Sequence, residues 1–126
     1  MEVKFYICRH CGNIVCYVKK VGAPIMCCGQ KMEELTANTV EAAVEKHIPE
    51  VAIENGLVKV VVGSVLHPMT EAHLIEWVAV QTNKGVQIKK LAANDQPACE
   101  FALVADEKVE CVYAYCNLHG LWKKEL

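Results

Sequence analysis

Nowhere in this chain does an uncharged apolar run reach the roughly 18 residues needed to suggest a membrane span. Internal repeats, low-complexity tracts and tails of one charge are also missing. The formal net charge is only −2, which gives no basic footprint for a nucleic acid or an anionic membrane. The opening stretch, MEVKFYICRHCG, lacks the long apolar core and small-residue cleavage site of a signal peptide. A cytoplasmic location is therefore expected. At 126 residues the chain suits one domain, or one domain with a small metal-stapled module. Cysteine is what it has in excess: eight residues, which admit either disulfides or metal. Cytosolic reductants keep thiols free, and that favours metal.

Residues 1–35 read as one unit. Short apolar alternations (Val3, Phe5, Ile7, then Ile14, Cys16, Val18) flank a Cys-x-x-Cys-Gly turn, and Gly22-Ala23-Pro24 is a second turn before Cys27-Cys28-Gly29. So small a piece buries too little apolar surface to fold unaided, so a metal staple is expected. Residues 36–50 read as a linker that enters the second domain. Asn38 or Thr39 is placed to cap a short helical turn, and Pro49 pushes His47-Ile48 towards extended backbone. From residue 51 to 126 the pattern is β. Residues 57–66, 73–82, 86–91, 99–105 and 109–116 are rich in β-branched and aromatic side chains, with turns at 83–85 and 106–108. Short strands without long helices between them predict an antiparallel β-sandwich.

Cys8-x-x-Cys11, followed by the adjacent pair Cys27-Cys28, supplies four thiolates. Four thiolates suit tetrahedral zinc or iron. Neighbours on an extended strand point to opposite faces, so Cys27 and Cys28 converge on one ion only where the backbone bends. The competing readings are two disulfides, or a redox Cys-x-x-Cys beside unrelated cysteines. Spacing does not separate iron from zinc.

His10 lies between two proposed thiolate ligands and reads as a surface residue. The other four histidines are candidates of another kind. Cys116-Asn117-Leu118-His119-Gly120 puts a sulfur and an imidazole three residues apart on a tight turn, a spacing that suits one ion. His67 closes one predicted strand before Pro68 and His73 opens the next, so one loop presents both. His47 joins them only if the segment after the linker folds back.

Cys8-Arg9-His10-Cys11-Gly12 with Cys27-Cys28-Gly29 resembles the desulforedoxin-like domain of the desulfoferrodoxin family. Glu45-Lys46-His47-Ile48-Pro49, His67-Pro68-Met69, His73-Leu74-Ile75-Glu76-Trp77 and Cys116-Asn117-Leu118-His119-Gly120-Leu121-Trp122 resemble its superoxide reductase domain. Nearly the whole chain is covered. The resemblance implies a mainly β fold, with a small metal-stapled domain followed by an immunoglobulin-like sandwich, and two irons per chain. One iron would sit on Cys8, Cys11, Cys27 and Cys28. The catalytic iron would take His47, His67, His73 and His119 as imidazole ligands and Cys116 as axial ligand, with Glu45 and Lys46 over the open position. Two departures, Gly22-Ala23-Pro24 in place of several glycines and Leu74 in place of an aromatic, fall outside the ligands.

The reaction so implied is superoxide detoxification: ferrous iron, superoxide and two protons give ferric iron and hydrogen peroxide. Lys46 would draw a small anion towards the metal, or would simply solvate the linker. Glu45 would bind the ferric iron once product leaves. Trp77 and Trp122 would cover ligand rings or merely pack the core, and Cys16, Cys99 and Cys111 read as small core residues. A rubredoxin-like electron donor and a homodimer are what the resemblance implies for partners. The alternative is a non-enzymatic electron-transfer or zinc-stabilised interaction module.

Overall fold

The computed structural model describes residues 2–126. It divides into two compact units, Met1–Thr36 and Ala37–Leu126.

In the first unit, strands β1 (Phe5–Ile7) and β2 (Ile14–Cys16) pair antiparallel around the turn that carries Cys8 and Cys11. Strands β3 (Met26–Cys27) and β4 (Gln30–Lys31) form a second, minimal hairpin. Strand β5 (Glu33–Glu34) returns to the free edge of β1. Ladders of two or three residues contribute few hydrogen bonds, and one of the unit's buried clusters consists only of Tyr6, Cys8 and Met32. A ligand to a proposed metal is thus part of the small core.

The second unit opens with a single helical turn, α1 (Val44–His47). Seven strands follow: β6 (Pro49–Glu54), β7 (Leu57–Val62), β8 (Ile75–Thr82), β9 (Gly85–Lys90), β10 (Ala98–Ala102), β11 (Val109–Cys116) and β12 (Gly120–Glu125). They make two antiparallel sheets, ordered β10-β7-β6 and β12-β11-β8-β9. Alternate side chains face inward: Val58, Val60 and Val62 from β7, Val78 and Val80 from β8, and Val112, Ala114 and Cys116 from β11. With Ile75 and Phe101 they form a continuous buried core, so the expected sandwich is present. Fully burying one such valine stabilises by about 1.5–3 kcal/mol. The β11–β8 register slips between Tyr115 and Cys116, where the chain leaves the ladder. Such a bulge re-aims the side chain that follows.

Several elements differ from the sequence reading. Residues 37–50 belong to the second unit rather than standing apart as a linker. Asn38 caps no helix: the N-cap of α1 is Ala43, without a side-chain hydrogen bond. Asn38 adopts a left-handed backbone (φ 60°) and its side chain binds the β12 edge, accepting from Lys123 N–H at 2.9 Å and donating to the Lys123 carbonyl at 3.3 Å. An Asn amide mimics a peptide group, and here that use wins over capping. Strand β6 begins at Pro49, and its hairpin with β7 turns on Asn55-Gly56, both with positive φ. This is the Asn-Gly signature of a type I′ turn, unused in the sequence reading. The strand expected over 57–66 ends at Val62, which frees residues 63–74 as the loop carrying His67 and His73. Strand β12 was not anticipated either, because its Lys123-Lys124-Glu125 end is polar.

Candidate metal centres

The first cluster is built by two turns. Gly12 N–H donates to the Cys8 carbonyl (2.8 Å) and Cys8 N–H to the Asn13 carbonyl (2.9 Å), closing a loop in which Gly12 has φ +87°. On the other side Cys27 pairs with Gln30, leaving Cys28-Gly29 as a two-residue turn with φ of 52° and 73°. That turn is the bend the adjacent cysteines require. It reverses the chain at Cys28 and allows both sulfurs to face one point.

All four sulfurs lie within 4.8 Å of one another, with Cys11–Cys27 at 3.5 Å and Cys27–Cys28 at 4.0 Å. Sulfurs tetrahedral about an ion at roughly 2.3 Å would stand about 3.8 Å apart, so the donor set fits one ion. No disulfide joins any of the eight cysteines. Cys8 is held down to about 6, first by the N–H of Cys11, while Cys28 is pushed up to about 12, first through its hydrogen bond to Cys11. Four thiolates this close repel one another, and a cation is what allows all four to ionise.

The second cluster gathers five side chains from distant segments. His47 is the last residue of α1, His67 and His73 lie on the β7–β8 loop, and Cys116 and His119 flank the β11–β12 turn. Cys116 pairs with Gly120, whose φ of +77° closes that turn. His47 Nδ1 lies 2.7 Å from the Ala43 carbonyl, and His67 Nδ1 lies 2.7 Å from the Pro68 carbonyl. A carbonyl only accepts, so both Nδ1 atoms carry the proton and both Nε2 atoms present a lone pair.

Those two lone pairs face each other at 3.2 Å. His119 Nδ1 is 3.2 Å from His47 Nε2 and 3.8 Å from Cys116 Sγ. His73 Nε2 is the buried side-chain nitrogen left without a partner among the described residues. Lone pairs so opposed repel unless a proton or a metal ion sits between them. Burial opposes the proton: it lowers the pKa of His47, of His73 and, to about 4, of His67. A metal ion is what remains.

Ring geometry narrows the coordination. Neighbouring rings His47–His67, His67–His73, His73–His119 and His119–His47 have centroids 4.6–5.1 Å apart and cross at 76–86°. His47 and His73 are separated by 6.5 Å and tilted by only 32°. A tetrahedron has six equal separations, whereas the diagonal of a square is about 1.4 times its edge. The histidines therefore form a square, with Cys116 as a fifth donor. Burial raises the Cys116 thiol pKa, and the N–H groups of Leu118 and His119 pull against it as donors to the sulfur.

Supporting contacts brace the square. Trp122 stacks on His47 (4.8 Å, 29°) and donates Nε1–H to the His119 carbonyl at 3.0 Å, so of the two tryptophans it covers a ligand ring. Trp77 stacks on Tyr115. Sequence reasoning missed Asn117, which accepts from Leu74 N–H and donates to the Ala72 carbonyl, both at 3.0 Å, tying the Cys116 turn to the His73 loop. It also missed Thr70, whose Oγ1 accepts the His73 N–H at 3.0 Å. Asn117's place inside the Cys-x-x-His turn was the available signal. Glu45 and Lys46 are exposed on α1, and the Lys46 charge helps depress the pKa of His47 and His73. Cys16, Cys99 and Cys111 lie outside both clusters; burial pushes the Cys99 thiol up to about 11, which makes it a poor nucleophile.

A β protein with one four-thiolate cluster and one square of histidines over a cysteine is a metalloprotein of two dissimilar centres. The family model for Desulfoferrodoxin matches residues 39–125. A desulfoferrodoxin of Nitratidesulfovibrio vulgaris is 43% identical over 125 residues, covering 98% of this chain and 97% of that one. A desulfoferrodoxin homolog of Archaeoglobus fulgidus is 41% identical, covering 96% and 95%. The crystal structure of the superoxide reductase from Treponema pallidum superposes with a TM-score of 0.83 at 36% identity, covering 98% of both chains. The chain belongs to the desulfoferrodoxin family. No helix among the described residues is long and apolar enough to cross a membrane.

Proposed function

We propose that this chain is a superoxide reductase with iron at both centres. The observation that carries the reading is that the ligand atoms of His47, His67, His73 and Cys116 lie within 4.8 Å of one another, with His119 Nδ1 3.2 Å from His47 Nε2 and His73 Nε2 buried without a partner. Five donors with the histidines in a square leave a sixth position, which a closed structural site does not need. Iron bound there would supply the single electron that, with two protons, converts superoxide to hydrogen peroxide.

The protein's own groups have separable tasks. The carbonyls of Ala43 and Pro68 fix the tautomers of His47 and His67 and hold both Nε2 atoms on target. The N–H groups of Leu118 and His119 temper the charge on the Cys116 sulfur. Trp122 shields the His47 ring from water. Lys46 is assigned to attracting the substrate anion: a cation beside a small exposed site raises encounter rates, which with steering reach about 10⁸–10⁹ M⁻¹s⁻¹. Glu45 is assigned as the carboxylate that would take the remaining position on the metal once product has left.

Cys8, Cys11, Cys27 and Cys28 are assigned to the other iron. Their spacing suits zinc equally, and a zinc-stapled first unit is the second reading of that centre. We assign a rubredoxin-like protein as electron donor, a homodimer as the assembly and the cytoplasm as the compartment. Family membership supports the first two, and cysteines free of disulfides are in keeping with the third. Elemental analysis with visible spectroscopy on anaerobically purified protein tests the reading. Two irons per chain and two distinct thiolate-to-iron bands are expected, whereas zinc alone with no colour on oxidation refutes it.

A further inference from the structure

Gly63 follows the last residue of β7 and belongs to neither centre. Its φ lies outside the left-handed region, so φ alone does not demand glycine there. Space does. A Cβ at Gly63 would stand 2.6 Å from the Glu45 carbonyl oxygen, 2.9 Å from the Ile48 carbonyl oxygen and 3.0 Å from the Lys46 carbonyl carbon. All three are backbone atoms, which do not rotate aside as a side-chain tip does. The two residues after Gly63 then grip the same carbonyl: Val65 N–H donates to Glu45 O at 2.9 Å and Ser64 Oγ donates to it at 3.2 Å.

The carbonyl of Glu45 is one of those that a one-turn helix leaves without an intrahelical partner. A turn of four residues has negligible stability of its own, so its place is set by what holds it. What holds it includes Gly63–Val65, on the loop that continues directly to His67, whose N–H donates to the Val62 carbonyl at 2.9 Å. One short segment therefore touches both the strand leading to His67 and the turn bearing Glu45, Lys46 and His47.

We propose that Gly63 is a positioning residue. Its missing side chain lets Gly63–Val65 clasp the Glu45 carbonyl, and the clasp sets where Lys46 stands relative to the histidine square. The functional part of this inference rests on the reading of Lys46 as the group that attracts superoxide. Gly63 touches no reacting atom; its effect passes through Lys46.

The test combines two measurements on the full-length, iron-loaded protein. Amide hydrogen exchange at Val65 reports the clasp, and pulse radiolysis at several salt concentrations reports the second-order rate with superoxide. Gly63→Ala is expected to speed Val65 exchange at least tenfold, to slow the superoxide reaction severalfold and to flatten its salt dependence. Added to Lys46→Ala, it is expected to cause no further loss of rate. Unchanged Val65 exchange, or an equal fractional loss in the Lys46→Ala background, would overturn the proposal. Should Gly63→Ala fail to fold, Ser64→Ala removes one exposed donor to the same carbonyl. It should move exchange and rate in the same directions by about twofold; unchanged exchange overturns the clasp, and an unchanged rate overturns its positioning of Lys46. A wild-type rate for Lys46→Ala alone would instead sink the steering reading, while Val65 exchange still decides whether the clasp exists.

Discussion

The two units answer the same problem, holding an ion, with opposite resources. The first has ladders of two or three residues and a small set of buried apolar side chains, among them Phe5, Ile7, Met32 and Leu35, so the four sulfurs supplement a small core. The second has a core of ten buried side chains spread over four strands, and its histidines stand on α1 and on loops at the strand ends. Metal in the first unit is therefore expected to act as a folding ligand, and metal in the second to be held by a scaffold that stands without it. The contrast explains why the first cluster draws on two tight turns between positions 8 and 28, while the second draws on positions 47 to 119.

Stripping the metal should break this comparison most visibly. After chelation, amide exchange is expected to become fast throughout residues 2–36 while β7, β8 and β11 stay protected. Structural zinc in comparably small modules contributes about 10–16 kcal/mol, more than so small a core replaces. Equal loss of protection in both units would erase the distinction. Phe101→Ala attacks the second unit through its core and should cost about 3–5 kcal/mol in denaturant unfolding, while leaving the absorption of the four-sulfur centre unchanged.

Cys116→Ser is expected to remove the thiolate band of the second centre and most activity, with unfolding of the sandwich shifted by less than for Phe101→Ala. Retention of band and activity would remove Cys116 from the coordination. Asn117→Ala leaves the Leu74 N–H and the Ala72 carbonyl without their partner. A loss of about 1–3 kcal/mol is expected, with weaker metal retention at the second centre alone. The smallest effect belongs to Lys46→Ala: a severalfold slower reaction with superoxide, a flatter salt dependence and unchanged stability, checked by pulse radiolysis and thermal unfolding.

How far these centres were legible in the sequence follows from the same contrast. Cys8, Cys11, Cys27 and Cys28 are near neighbours, and spacing alone grouped them; even the bend at Cys28 was demanded before it was seen as a left-handed φ. The histidine square was not legible that way. His47 and His119 are 72 residues apart, and only the resemblance joined them before the fold did. Strand alternation revealed most of the sandwich, but β12 and the Asn55-Gly56 hairpin were passed over, one for its charged end and one for want of reading the turn. Asn117 and Gly63 work through backbone atoms of partners far along the chain, and Thr70 through the backbone of His73 three residues on. Residue type and local pattern carry almost no trace of such contacts.

The second centre is expected to pass one electron to superoxide and to release peroxide. The most direct test of that is the peroxide yield when the reduced protein meets superoxide, read together with the absorption of the second centre. The account predicts one hydrogen peroxide for each superoxide consumed, with one oxidising equivalent appearing at that centre and none required from the four-sulfur centre. A yield of one peroxide for every two superoxides, with no net oxidation of the second centre, would make the protein a dismutase and contradict it.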